Sequence, residues 1–212
     1  PSPGKIRDVN GYTVPVAVER CGGRVLRLGI ARDRPDEVRA KLLAAVEARA
    51  DLILSSAGVS VGAYDVVKAV VEAEGALDFW RVRMRPGKPI AFGNVRGVPF
   101  IGLPGNPVSA LVSFEVFARA AILKLGGLRR WDKRTIKVTL TEAMASDGRE
   151  SYLRAIIAER AGRYGARSAG DQGSAVLTSL VRANGLVIIP EGVREVQAGE
   201  VLSAWLLEED VV

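Results

Sequence analysis

The sequence DLILSSAGVSVGAYD, residues 51–65, decides how the chain is expected to fold. Its apolar run at 52–54 is short enough for a buried parallel strand. Small residues with two glycines follow, and a helical pattern begins at Tyr64 and Asp65. A strand, a small-residue loop and a helix start let backbone N–H groups approach an anion. The stretch therefore predicts an α/β domain in which this loop either binds a phosphate or is a plain tight turn.

A second loop of this kind, GLPGNPVS, occupies residues 102–109. It follows an apolar run, and Asn106 and Pro107 suit the N-cap and the first position of a helix. Its N–H groups would attract a phosphate, although a plain strand-to-helix turn has the same residues. Neither loop contains the P-loop pattern or the G-x-G-x-x-G of a dinucleotide site. Two such loops suggest a ligand that carries phosphate.

The pattern of elements predicts an α/β protein with two domains. Alternating strands and helices predict a three-layer α/β/α domain with a mostly parallel sheet over residues 1–128. Short alternating segments separated by turns predict a small β-barrel-like domain over residues 135–212. The expected strands are 24–30, 52–55, 79–84, 89–92, 98–103, 135–140, 152–157, 185–189 and 200–206. The expected helices are 5–22, 33–46, 65–74 and 106–125.

The composition excludes several classes of site. The chain has no histidine, which excludes Ser-His-Asp and Cys-His catalysis and every His-ligated metal site. The GVSVG of residues 58–62 matches a hydrolase nucleophile elbow, but its serine lacks the usual base. A net charge of +6 favours anionic partners. The single cysteine and the absence of a long apolar run predict a cytoplasmic protein without a membrane span.

Charged residues near the first loop have two interpretations. Asp65 and Asp33 are each either capping or turn acids, or ligands of Mg²⁺ beside a phosphate. In FWRVRMRPGK, residues 79–88, three arginines alternate with apolar residues. On one strand, Arg81, Arg83 and Arg85 would line one face, about 7 Å apart. Such a row is either solvated or bound to an oxyanion, which the arginine fork suits.

Four segments carry a family resemblance: LSSAGVSVG at 54–62 with Asp65, the stretch from FW at 79–80 to RPGKP at 85–89, GLPGNPVSA at 102–110, and GIARD at 29–33. In combination they resemble the molybdopterin molybdenumtransferase family, the MoeA and gephyrin E-domain group. The β domain is similar more weakly, through YLR at 152–154 and QGS at 172–174. The resemblance spans essentially the whole chain.

The resemblance implies Mg²⁺-dependent insertion of molybdate into adenylylated molybdopterin, with release of AMP, by a cytoplasmic homodimer. It implies no nucleic-acid or membrane partner. Asp33 and Asp65 look like active-site acids and Mg²⁺ ligands, and Arg81 and Arg85 take catalytic positions that are often lysine. The molybdate pocket would comprise Arg85, Lys88, Pro89, Arg154 and Ser174. The pterin phosphate and nucleotide would be bound by Ser56, Gly58, Ser60, Gly62, Pro104, Gly105, Asn106, Pro107 and Ser109.

The sequence departs from the family pattern at Ala57, where glycine is usual, and at Val9, which interrupts an Asp-Ser-Asn pattern. Family members carry two further domains upstream, so the resemblance implies a truncated chain. Three other functions compete with the transferase. A pterin-binding adenylyltransferase shares the α/β domain but lacks the β domain. A gephyrin-like scaffold would bind without turnover. Nucleic-acid binding would use the basic balance, but the chain has few aromatic residues.

Overall fold

The computed structural model of the protein describes residues 7–57 and 66–207, with the backbone alone for 79–81. The chain divides into two compact units. The α/β unit comprises Pro1–Val82 and Pro89–Trp131, and the barrel unit comprises Arg83–Lys88 and Asp132–Val212. A short segment of the first half thus belongs to the second unit. None of the helices in the described ranges has the length and apolar character needed to cross a bilayer.

The helices and strands follow the chain in this order. The helices are α1 (Asn10–Arg20), α2 (Pro35–Glu47), α3 (Val66–Glu74), α4 (Pro107–Ser113), α5 (Arg119–Leu125) and α6 (Leu177–Arg182), with a π-helical turn at Phe114–Ala118. The strands are β1 (Ile53–Ser56), β2 (Gly75–Arg81), β3 (Met84–Arg85), β4 (Pro89–Val95), β5 (Val98–Leu103), β6 (Thr135–Leu140), β7 (Met144–Ala145), β8 (Glu150–Arg160), β9 (Arg163–Ser168), β10 (Gly185–Ile189), β11 (Glu195–Val196) and β12 (Val201–Leu206).

The sheet of the α/β unit is mixed, so the prediction of a mostly parallel sheet was wrong. Its strand order is β1-β5-β4-β2. The β1·β5 pair is parallel, whereas β5·β4 and β4·β2 are antiparallel. Between β4 and β5, Arg96 and Gly97 have φ of 49° and 87°, which suits a two-residue hairpin turn. That turn forces antiparallel pairing where the sequence pattern predicted a crossover.

Helices pack on both faces of this sheet. One apolar cluster joins α2 and α3 to β1, β4 and β5 through residues that include Leu42, Val71 and Phe100. A second joins α1 and the helical stretch 107–125 to the same strands through residues that include Ile101 and Phe114. Because successive strand residues point to opposite faces, Phe100 and Ile101 enter different clusters. This packing holds the carboxyl ends of β1 and β5 at one edge of the sheet.

Residues 24–30 form no strand, contrary to the sequence prediction. The segment has no regular secondary structure and pairs with no strand among the described residues. Leu28 packs against the cluster beneath α2 and α3, and Lys41 of α2 donates a hydrogen bond to the carbonyl of Leu28. A helix side chain therefore takes the place of a ladder partner.

The barrel unit contains a closed ring of five strands, which confirms the predicted β-barrel. The ring runs β10-β12-β6-β9-β8 and closes through the pairing of β10 with β8. In β6, buried Ile136, Val138 and Leu140 alternate with exposed residues, as a barrel wall requires. The short strand β3 attaches to β8 in parallel, with Arg85 opposite Ser151.

Candidate functional site

The loops after β1 and β5 begin side by side at the carboxyl edge of the α/β sheet. Ser56 is in register with Leu103, and the N–H of Ala57 donates to the carbonyl of Leu103 at 3.1 Å. A Cβ built on Gly105 would lie 3.3 Å from the Cβ of Ala57. The two predicted ligand loops therefore start next to each other, which is the geometry of ligand sites at the carboxyl ends of strands in α/β sheets.

Asn10 of α1 fixes the second loop from the side. Its Nδ2 donates to the carbonyl of Gly105 at 2.8 Å across 95 residues of sequence. Asn10 is only 6% exposed, and its Oδ1 has no hydrogen-bond partner among the described residues. The Oγ of Ser55, the next-to-last residue of β1, also has no hydrogen-bond partner among the described residues. These buried acceptors indicate polar surroundings that the described protein atoms leave incompletely paired.

The predicted ligand residues of this edge lie as follows. Ser56, Gly105 and Asn106 are exposed, Pro107 is half-buried, and Pro104 and Ser109 are buried. Asn106 has the extended backbone of an N-cap, although its side chain makes no capping hydrogen bond. Asp33 is exposed in the bend that precedes α2. The predicted residues Gly58, Ser60, Gly62 and Asp65 lie outside the described residues.

Arg154 is the centre of a polar cluster in the barrel unit. It lies on β8 and is completely buried. Its Nε donates to Ser179 Oγ at 3.2 Å, and its Nη2 donates to the carbonyls of Asp171 and Gly173 at 2.9 and 3.1 Å. Its Nη1 has no partner among the described residues. Nη2 therefore holds the loop between β9 and α6, and Nε binds Ser179 of α6.

Burial and charges of both signs act on Arg154. Burial lowers the pKa of Arg154, Asp171 raises it, and the charge of Arg85 lowers it further. An arginine nevertheless remains protonated at neutral pH. The effect of Arg85 shows that the two guanidinium groups repel each other, and a bound anion would relieve this repulsion. Lys88, which closes the same segment of the chain, is exposed.

The three arginines of residues 81–85 do not line one face of one strand, so that prediction was wrong. Arg81 ends β2 of the α/β unit, and Arg85 belongs to β3 of the barrel unit. Arg83 lies in the break between them and forms an ion pair with Glu191. The alternation of the sequence spans a strand break, and the chain passes to another unit there.

Family models match both units. One, described as "Probable molybdopterin binding domain", matches residues 2–124. Another, described as "MoeA C-terminal region (domain IV)", matches residues 137–207. The chain belongs to the MoeA family of molybdopterin molybdenumtransferases.

Individual relatives agree with this membership. A molybdopterin molybdenumtransferase of Haemophilus influenzae is 36% identical over 94% of this chain and 50% of its own length. Molybdopterin molybdenumtransferase 2 of Mycobacterium tuberculosis is 39% identical over 96% of this chain and 51% of its own. A molybdopterin biosynthesis MoeA protein from Pyrococcus horikoshii superposes with a TM-score of 0.78 at 28% identity, over 98% of this chain and 50% of that one. The chain spans about half the length of the curated relatives it matches.

Membership of the MoeA family puts the departure at Ala57 in a structural context. Ala57 has a φ of 67°, in the left-handed region where a side chain costs about 1 kcal/mol or more. The glycine that the resemblance leads us to expect here would adopt this backbone without strain. Ala57 therefore adopts this backbone conformation at the expense of some local strain.

Sequence reasoning missed two residues that organise these loops. Asn10 lies in the expected helix 5–22, yet its carboxamide binds the loop after β5. Gln172 was quoted in the family resemblance without a role, yet its carboxamide contacts Arg154 directly. Each amide stands beside a glycine in the sequence, but neither follows a predicted strand, so the sequence contains no specific signal for these contacts.

Proposed function

We propose that the chain provides the molybdopterin-binding and C-terminal parts of a molybdopterin molybdenumtransferase. The reaction would insert molybdate into adenylylated molybdopterin and release AMP. The observation that carries the proposal is the buried guanidinium of Arg154, whose Nη1 has no partner among the described residues of a MoeA-type barrel unit. A buried cation of this kind suits a tetrahedral oxyanion better than a neutral substrate.

The α/β unit would bind the pterin phosphate and the nucleotide. Support comes from the two loops that begin side by side after β1 and β5. Pro107 begins a helical stretch there, and N–H groups at such a start favour phosphate oxygens. This unit has 17 basic and 12 acidic residues, a surplus that would attract a polyanionic ligand.

The barrel unit would bind molybdate through Arg85, Lys88, Arg154 and Ser174, with Pro89 next in the chain. Arg85 is half-buried, so part of its side chain is packed in the protein while its charge is available to an anion. Arg154 would contribute through Nη1, because its other donors already bind Ser179 and two carbonyls. Together the cations would neutralise the dianion and hold it in one orientation.

The donor chemistry fits Mg²⁺, which uses one or two carboxylates together with phosphate oxygens and water. Asp33 and Asp65 would provide those carboxylates. The described residues contain no cluster of three or more acidic, cysteine or histidine side chains, so the substrate phosphates would complete the coordination. When bound, Mg²⁺ would neutralise charge on the departing AMP.

We further propose that the protein acts as a homodimer in the cytoplasm.

The test is AMP release from adenylylated molybdopterin with molybdate and Mg²⁺. It should be run with the 212-residue chain and with the chain plus any upstream residues that its gene encodes. Molybdate-dependent release by either form supports the proposal. Molybdate-independent release would favour the alternative hypothesis of a pterin-binding adenylyltransferase. Pterin binding by both forms with release by neither would contradict the transferase and favour a scaffold.

A further inference from the structure

We propose that Gln172 is a positioning residue, which shapes the oxyanion subsite by holding the loop around Arg154. The inference rests on the function proposed above, in which this subsite binds molybdate. Gln172 is half-buried in the connection between β9 and α6. It would touch neither substrate nor cofactor. It would act through the backbone of Arg154 and the loop that leads to Ser174.

The carboxamide of Gln172 replaces a strand residue beside β8. The register of β9 with β8 ends at Ser168, opposite Ala155, although the N–H of Ala169 still donates to the carbonyl of Arg154 at 3.0 Å. One residue further along, the N–H of Arg154 donates to Gln172 Oε1 at 2.9 Å, and Gln172 Nε2 donates to the carbonyl of Arg154 at 2.9 Å. A side-chain amide has the same donor and acceptor as a peptide group, so it extends the ladder beyond the end of β9.

The contact is reciprocal. The side chain of Gln172 holds the main chain of Arg154, while the side chain of Arg154 holds the carbonyls of Asp171 and Gly173 on either side of Gln172. Gln172 Nε2 also reaches the carbonyl of Gly170 at 3.0 Å. Each residue thereby fixes the backbone from which the other projects. The guanidinium cannot keep its orientation if the loop shifts, and Ser174 follows two residues later.

Asn184 makes the same kind of contact on the other side of β8. The N–H of Ile157 donates to Asn184 Oδ1 at 2.7 Å, and Asn184 Nδ2 donates to the carbonyl of Ile157 at 2.8 Å. It extends the ladder of β10, whose pairing with β8 ends at Gly185. Its partner Ile157 belongs to the apolar core of the barrel. Asn184 is therefore a control for the two hydrogen bonds to the β8 backbone, with no charged side chain to position, although Gln172 Nε2 also reaches Ser168 Oγ and the carbonyl of Gly170.

The experiment compares Gln172→Met with Asn184→Leu in the form of the protein that releases AMP. Both variants replace a carboxamide by an apolar chain of similar size, and both should lower the melting temperature. At saturating adenylylated molybdopterin, we expect Gln172→Met to raise the KM for molybdate by about tenfold, which corresponds to about 1.4 kcal/mol. Asn184→Leu should change it by less than about twofold, and the KM for the pterin should stay unchanged in both.

Equal changes in the KM for molybdate in the two variants would overturn the inference, because they would show a purely structural contribution. A change confined to the KM for the pterin would also overturn it. If Gln172→Met does not fold, Gln172→Asn keeps the amide with a shorter reach and takes its place in the same comparison. Absence of molybdate-dependent AMP release and of calorimetric molybdate binding in the wild type would reject the proposed function, and the inference with it.

Discussion

Arg154 places a positive charge inside the barrel unit with only neutral hydrogen-bond partners. Its side chain donates to one hydroxyl and to two backbone carbonyls, one of them that of Asp171. The carboxylate of Asp171 acts on Arg154 through its charge alone. A buried cation with incomplete compensation is costly, and an anion that pairs with it recovers much of that cost. The residue is therefore informative about the ligand: its hydrogen bonds hold the loop, and its Nη1, without a partner among the described residues, would be available to a substrate oxygen.

Asp147 provides a prediction for the pH dependence of stability. Hydrogen bonds from Arg149, with Nε 3.1 Å from both carboxylate oxygens, lower the pKa of Asp147 from 3.8 to about 2. A lowered folded-state pKa stabilises the protein above about pH 4, and this stabilisation is lost as the pH falls toward 2. Because Asp147 is partly exposed, solvent screening limits the contribution to about 1 kcal/mol. Asp147→Asn should lower the unfolding free energy at pH 6 and have little effect near pH 2.

Urea unfolding of Asp147→Asn and the wild type from pH 2 to pH 6 would measure this difference. The control is Glu191→Gln, which breaks the more exposed ion pair with Arg83. We expect that control to change the unfolding free energy by at most a few tenths of a kcal/mol, about the value of an exposed pair. A constant difference for Asp147→Asn across the whole range would contradict the assigned pKa shift.

At the scale of elements, two glycines of the barrel strands give opposite predictions. A Cβ on Gly185 of β10 would lie 2.3 Å from Ile157 Cδ1 and 2.8 Å from the carbonyl oxygen of Trp205. A Cβ on Gly165 of β9 would meet its nearest atom at 3.6 Å, which is an ordinary contact. Gly185→Ala should destabilise the barrel by about 1–3 kcal/mol through overpacking. Gly165→Ala should be neutral or stabilise by up to about 1 kcal/mol, because alanine restricts the unfolded chain.

Thermal unfolding of the two alanine variants would test this contrast. Both substitutions add one methyl group to a strand of the same ring, so the difference isolates the space around each Cβ. A loss for Gly165→Ala as large as that for Gly185→Ala would contradict the described packing. The test addresses the closure of the ring directly, since Gly185 pairs with both β8 and β12.

Elements with a local cause were predictable, whereas those that depend on distant partners were not. The apolar runs of β1, β5 and β10 and the proline-started helix α2 occur where the sequence indicated. Residues 24–30 have the apolar content of a strand but lack a ladder partner. The alternation over 79–85 concealed a break, because periodicity does not show that the chain changes units at residue 83. Strand β9 was missed since RYGARS has little apolar content.

The residues of the candidate site also divide into those with a local sequence signal and those that depend on distant partners. The loop after β5 was predictable from its cap, proline and glycine, and the structure brings it beside the end of β1. The contacts of Gln172 and Asn184 were not predictable, because a carboxamide that replaces a peptide group leaves no periodic signal. The order of strands had to be known before either residue could be seen to extend a ladder.

At the scale of the whole molecule, the basic charge is unevenly divided between the units. The α/β unit has 17 basic and 12 acidic residues, whereas the barrel unit has 13 and 12. The overall charge of +6 therefore arises mainly in the unit whose sequence matches the molybdopterin-binding domain. Long-range attraction would act on the larger, phosphate-bearing ligand. The barrel unit would hold its smaller anion mainly through short-range contacts with buried Arg154 and half-buried Arg85.

This division predicts different salt dependence for the two substrates. Exposed charges are screened by salt, whereas buried groups are screened much less. When NaCl rises from about 0.05 to about 0.5 M, we expect the Kd of adenylylated molybdopterin to increase about tenfold and the KM for molybdate by less than about threefold. Fluorescence titration of the pterin and AMP release at varied molybdate would measure the two. Sodium sulfate must be avoided because sulfate resembles molybdate in shape and charge. A KM for molybdate that rises as steeply as the pterin Kd would show that surface charge, rather than Arg154 and its loop, binds the oxyanion.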